Sequence, residues 1–234
     1  MIKKIIKKIL YGYKSTSEDY ISHLRTLGVK IGENCHIFTP KTVSIDCLNP
    51  HLLTIGNNVK ITGPTTILTH DYSTCVLNQV DNVIYGKQKK TIIGNNVFLG
   101  WGCTVLAGTE IGDNTIIGAG TVISGKIPGN YVYAGNPAKK ICSIDEYRKK
   151  IQSNQISDAK QLYLAYKDRY NEKPTQELFH EYFFLFSDDE NILPDIFKNK
   201  LKEENISFCN KNAYFKNYED FCEFCEDESI HNEE

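Results

Sequence analysis

The sequence predicts a mainly β fold: a parallel β-helix of short stacked strands, with helices before it and a helical appendage after it. Three observations carry this. Aliphatic residues recur every six positions through the middle of the chain. A small or β-branched residue sits four places after most of them. At both ends the six-residue period stops and the spacing turns helical.

The first segment, residues 1–30, reads as helices. In IKKIIKKIL, Ile2, Ile5, Ile6, Ile9 and Leu10 fall on one helical face and Lys3, Lys4, Lys7 and Lys8 on the other. Two readings stand. The helix either touches a membrane surface through residues 2–10, or packs on protein, including the acidic tail. Ser15 to Leu27 reads as a second helix, with Ser or Thr at its start and Gly28 at its end.

The repeat occupies 31–141. Ile31, Ile37 and Val43 form one series; Ile55, Ile61 and Ile67 a second; Ile93, Leu99, Val105, Ile111, Ile117 and Ile123 a third, without a slip. Gly often follows the aliphatic residue, as at Gly32, Gly56, Gly94, Gly100, Gly112 and Gly118. The fourth place holds Cys35, Val59, Thr65, Val97, Cys103, Thr109, Thr115 and Thr121. A helix repeats at 3.6 and a two-sided strand at 2, so six suits a short strand followed by a turn. Such turns stack, each burying its neighbour's face. Gly and Asn at the corners tolerate positive φ. Cys35 and Cys103 are then small core residues.

The rhythm breaks once. Ile67 and Ile93 are 26 positions apart, which is not a multiple of six. Residues 71–90 are therefore expected to leave the prism as a loop, and a long loop in a compact domain is usually functional or disordered. Tyr72 and Tyr85 in it suit a polar substrate. His70 stands at its root. An imidazole titrates near neutrality and can take a proton from a hydroxyl and give it up again.

The pattern resembles the hexapeptide-repeat acyltransferases, which form a left-handed parallel β-helix, an exception to the usual crossover hand. The resemblance runs from about Ile31 to Ile141. The ending VISGKIPGNYVYAGNPAKKI is similar to the maltose, galactoside and xenobiotic acetyltransferase branch, which includes polysaccharide O-acetyltransferases. It implies acetyl-coenzyme A as co-substrate, no metal, and a homotrimer whose site lies between two β-helices. It implies His70 as the catalytic base. Asp71 orients the imidazole, binds a sugar hydroxyl or caps the loop. Backbone N–H groups at Gly100, Trp101 and Gly102 are candidates for the oxyanion, because glycines let the backbone approach closely. By position, Gly118, Ala119, Gly120, Ser124, Ile127 and Pro128 would line the coenzyme groove, with Lys139 and Lys140 near its phosphates. Relatives often read Thr-Lys-Asp before the Ile-Pro; here Ser124, Gly125 and Lys126 stand there, which displaces the basic residue.

From 142 to 224 the chain reads as a helical appendage. Its aromatic stripes at helical spacing read as core. Residues 225–234 read as a disordered acidic tail. Cys222 and Cys225 form one CxxC; a zinc site could recruit Cys209 and His231, but a single CxxC on an acidic helical pattern is a weak signal. The eight cysteines are scattered through 234 residues and read as reduced thiols. No secretory signal is legible, so a cytoplasmic protein is expected, with contact at the inner membrane face if residues 2–10 bind lipid. A net charge of −2 gives no pull toward nucleic acid.

The function expected is acetyl transfer to a saccharide hydroxyl in capsule or O-antigen synthesis. Alternatives are N-acetylation of an amino sugar or xenobiotic, and a non-catalytic trimeric β-helix. A zinc lyase of the γ-carbonic anhydrase type needs three converging histidines, and only His70 lies in the later repeats.

Overall fold

A computed structural model describes residues 2–187, 193–204 and 213–227. The chain falls into two compact units, Met1–Tyr147 and Arg148–Glu234.

The first unit opens with helices α1 (Ile2–Tyr11) and α2 (Ser17–Leu27). Thr16 caps α2 by accepting from the Asp19 N–H at 3.1 Å, and Glu18 and Asp19 suit the positive end of the helix dipole. Gly28, at φ +106°, ends it. The helix buries Tyr20, Ile21 and Leu24. Ser17 Oγ accepts from Ile37 N at 2.9 Å, which satisfies a donor of the first coil.

Three parallel sheets form the faces of the left-handed β-helix predicted from the sequence. The first holds Lys30–Ile31, Leu53–Ile55, Thr91–Ile93, Glu110–Ile111 and Lys126–Ile127. The second holds His36–Ile37, Lys60–Ile61, Val97–Leu99, Thr115–Ile117 and Tyr131–Ala134. The third holds Ser44–Ile45, Thr66–Ile67, Thr104–Val105 and Val122–Ile123. Ile93 pairs with Ile111, Leu99 with Ile117 and Val105 with Ile123, so three six-residue units make one coil of eighteen. Their aliphatic side chains stack into a continuous buried core.

The fourth slot is small for a stated reason. Thr109, Thr115 and Thr121 are buried, and each hydroxyl donates to a corner carbonyl, at 2.6 Å to Leu106, 2.8 Å to Gly112 and 2.6 Å to Gly118. Cys103 does the same through Sγ to Gly118 O at 3.2 Å. At one corner Asn58, Asn96 and Asn114 all take left-handed backbone, with φ between 53° and 55°. Beside them Gly56 passes so close to the coil above that a Cβ would lie 2.6 Å from the Gly94 carbonyl oxygen.

The early coil departs from the six-residue count. Ile45, not Val43, pairs with Ile67 and holds the aliphatic place. Val43 is fully buried two positions earlier, in the small-residue slot. The cause is a longer corner: Thr39 takes φ 49° and accepts from Thr42 N, which inserts two residues before the third face. Ile55 pairs with Ile93, 38 positions on and twenty more than a regular coil, so the insertion is as long as 71–90. That segment is not wholly irregular: helix α3 (Thr74–Asp81) lies within it.

The antiparallel strand Lys139–Ser143 pairs with Tyr131–Ala134 and closes the second face. Helix α4 (Ile144–Tyr170) follows at once. In the second unit, α5 (Asp195–Glu204) and α6 (Tyr218–Glu226) join the rest of α4. Tyr163, Phe179, Phe197 and Phe221 are fully buried there, so the aromatic stripes are core. Cys222 and Cys225 are buried in the same cluster. Because α6 runs to Glu226, residues 225 and 226 belong to it rather than to a tail. The remaining tail at 228–234, with His231 and also Cys209, lies outside the described residues. Among the described residues no helix is long and apolar enough to cross a membrane.

Candidate active site

The corner that follows the third face carries the chemistry. In successive coils it is formed by Asp46, by Leu68 to His70, by Leu106 to Gly108, and by Ser124 and Gly125. The inserted segment leaves here, and its return limb is pinned to the root. His70 bridges Gln88, Asp71 N donates to Lys87 O at 3.0 Å, and Lys89 N donates to Thr69 O at 2.8 Å. Between loop and corner lies a cleft of about 530 Å³. His70, Asp71, Tyr72 and Ser124 line it together with Leu68, Lys87, Lys89, Leu106, Ala107, Gly108 and Gly125.

His70 Nδ1 stands 2.5 Å from Asp46 Oδ2. The Asp46 side chain is 5% exposed and that of His70 19%. The same Oδ2 accepts from Thr69 Oγ1 at 2.5 Å and Thr69 N at 2.9 Å, and Oδ1 accepts from Leu48 N at 2.9 Å. Burial alone would raise the Asp46 pKa and is the largest single influence. The bonds from Thr69, Leu48 and His70 together outweigh it and hold the carboxyl down at about 2. An ionised carboxylate only accepts, so Nδ1 carries the proton and Nε2 is left as the ring's basic atom. The Tyr72 ring meets the imidazole edge-on, with centroids 4.3 Å apart.

Asp71 has another partner. Its Oδ2 pairs with Lys87 Nζ at 2.5 Å and its Oδ1 accepts from Ser73 N at 2.9 Å. The Lys87 bond, then the Ser73 bonds, keep its carboxyl well below the usual range. Both contacts are made within the inserted segment, and the bond to His70 Nδ1 comes from Asp46 instead. Tyr85 is engaged inside the loop, its hydroxyl 3.0 Å from Asp81 Oδ2, and does not line the cleft.

The remaining predicted residues lie elsewhere on the β-helix. Gly100, Trp101 and Gly102 stack under Gly118, Ala119 and Gly120 at the corner between the second and third faces; Gly120 N donates to Trp101 O at 2.7 Å. Trp101 is 58% exposed, and nothing lies within 4 Å of where a Gly120 Cβ would project. Ile127 is buried on the first face, and Pro128 O accepts from the Tyr133 hydroxyl at 3.0 Å. Lys139 and Lys140 sit on the closing strand, with Lys140 Nζ 4.3 Å from the Tyr131 ring centre. One chain thus brings His70 and Ser124 together but leaves the Gly100–Gly102 and Gly118–Gly120 corner on a different edge. Among the described residues no group of three or more His, Cys, Asp or Glu side chains could hold a metal.

The bacterial transferase hexapeptide (six repeats) family model matches residues 90–125. Protein CapG of Staphylococcus aureus is 35% identical over 157 residues, covering 65% of this chain and 85% of that protein. The galactoside O-acetyltransferase of Escherichia coli K12 is 26% identical over 160 residues, covering 62% of this chain and 78% of that enzyme. A solved galactoside acetyltransferase in complex with coenzyme A is 25% identical, with a TM-score of 0.43, over 63% of this chain and 83% of the other.

Proposed function

This chain belongs to the bacterial hexapeptide-repeat transferases, and we propose that it is an acetyl-coenzyme-A-dependent O-acetyltransferase acting on a saccharide hydroxyl. The observation that carries the proposal is the buried Asp46 carboxylate on His70 Nδ1 beside a cleft. The co-substrate supplies an acetyl thioester. A hydroxyl is a poor nucleophile at neutral pH, so transfer needs a base. His70 Nε2 takes the proton as the oxygen attacks, and Asp46 stabilises the imidazolium so formed. His70 then returns the proton to the departing sulfur. A positioned base is worth about 10²–10⁴-fold. The likeness to a galactoside O-acetyltransferase supports a sugar acceptor. Surface polysaccharide is the setting that we propose for it.

The corner of Gly100–Gly102 and Gly118–Gly120 is open at Gly120; the N–H groups of Gly100, Gly118 and Gly120 already donate to the carbonyls of Ile117, Tyr133 and Trp101, so backbone donors to the pantetheine arm would come from Trp101, Gly102 and Ala119. It would meet the His70 corner only across a neighbouring copy, which supports a homotrimer with the site between subunits. The inserted segment exposes Val76, Leu77, Val80, Val83 and Ile84, an apolar surface suited to a second copy.

The test is thiol release from acetyl-coenzyme A with a panel of sugars and amino sugars. His70→Ala should lose a hundredfold or more with sedimentation and coenzyme binding unchanged. Equal turnover by native protein and His70→Ala would overturn the mechanism. A preference for amino sugars over sugars would turn the reading to N-acetylation.

Placement in the cytoplasm at the inner membrane face is part of the proposal. Helix α1 leaves Ile9 78% and Leu10 66% exposed in a lysine-rich sequence. Vesicles containing anionic lipid should bind the native chain and release the Ile9→Glu, Leu10→Glu variant; equal binding would remove this element.

A further inference from the structure

The cleft beside His70 holds a cation with no counter-ion among the described residues. Asp71 and Lys87 neutralise each other, and His70 is held by Asp46. Lys89 remains: it lines the cleft, and no carboxylate pairs with it among the described residues.

Its position is fixed at two points. The Lys89 N–H donates to the carbonyl of Thr69, the residue before His70, at 2.8 Å. Its stem lies over Gly108, where an added Cβ would come within 2.7 Å of the Lys89 Cδ. Gly108 also takes φ +86°, which glycine adopts without strain. Lys89 is exposed, and Leu68, Leu106 and Ala107 supply apolar wall to the same cleft. A single unpaired ammonium on a part-apolar wall favours an anionic ligand over a neutral one of the same shape.

We propose that Lys89 determines acceptor specificity, and that the acceptor is an anionic saccharide. Its carboxylate or phosphate meets the Lys89 ammonium while a ring hydroxyl meets His70 Nε2. This rests on the acyl-transfer reading above. A charge-assisted hydrogen bond at such a site corresponds to a preference of about 10–100-fold.

The experiment uses the full chain with three probes: methyl glucuronide, glucose 1-phosphate and methyl glucoside. Thiol release and calorimetric binding are both read, for native protein, Lys89→Met and Lys89→Glu. Met keeps the stem over Gly108. Native protein is expected to bind one anionic probe tenfold or more better than the glucoside. Lys89→Met erases that preference, Lys89→Glu reverses it, and coenzyme A binds all three proteins alike. The carboxylate and phosphate arms tell which anion is recognised. Equal binding of neutral and anionic probes, or no binding of any probe, overturns the proposal. So does a preference retained in Lys89→Met, or a change confined to coenzyme A affinity. His70-dependent turnover without anion preference leaves acyl transfer standing and removes the Lys89 inference. Lys89-dependent anion binding without turnover leaves Lys89 as an anion contact and removes acyl transfer, and with it the role in acceptor choice.

Discussion

His70 Nδ1 and Asp46 Oδ2 lie 2.5 Å apart, joined across two successive coils of the β-helix. The pair fixes a tautomer. It also sets apart two aspartates that a reading of sequence order would confuse, because Asp71 follows His70 directly yet serves Lys87.

Asp46→Asn should lower kcat by about 10²–10⁴-fold, because an amide can donate to Nδ1 and hold the wrong tautomer. KM for the acceptor should change little. Steady-state thiol release checks both, and a pH–rate profile separates loss of a positioning carboxylate from simple misfolding.

Asp71→Asn should behave differently. It breaks an exposed ion pair, which solvent screening leaves with little weight in stability. Activity should fall less than tenfold, through a looser loop, and urea midpoints of the variant and native protein should nearly coincide.

The Asp46 carboxyl is held at about 2, below its ordinary value near 3.9, so its folded form favours the charged state. The sign follows: its contribution is complete above the ordinary pKa and is lost as pH falls toward 2. The magnitude is on the order of 2 kcal/mol. Urea unfolding of native protein and Asp46→Asn should therefore differ most near neutrality and converge only as pH falls through about 2.

Gly56→Ala should destabilise the first unit by about 1–3 kcal/mol, because its Cβ would meet the Gly94 carbonyl in the next coil. Denaturant unfolding measures this. An unchanged midpoint would mean that adjacent coils can separate at that corner.

The fold was legible because close stacking enforces the period. Each coil must repeat its aliphatic and small residues in register, so Ile93 to Ile123 can be counted off the chain. Asp46 could not be counted off in this way, because the first coil is irregular. Counting in sixes puts Val43 in the aliphatic slot; with Ile45 there, Asp46 falls on the corner shared with His70. The longer corner at Thr39 to Thr42 hides this. Lys87 and Lys89 were hidden for another reason. Which residue of a returning limb meets its root is set by tertiary pairing, here Lys89 with Thr69, and no periodicity encodes it.

The most direct test of the central claim is the thiol-release rate of four proteins: native, His70→Ala, Asp46→Asn and the double variant. If Asp46 acts through His70, the double variant should be no slower than His70→Ala, since residues that act as a unit are strongly non-additive. A double variant slower than His70→Ala by the full factor that Asp46→Asn costs alone would contradict the account, and so would a His70→Ala protein as fast as the native one.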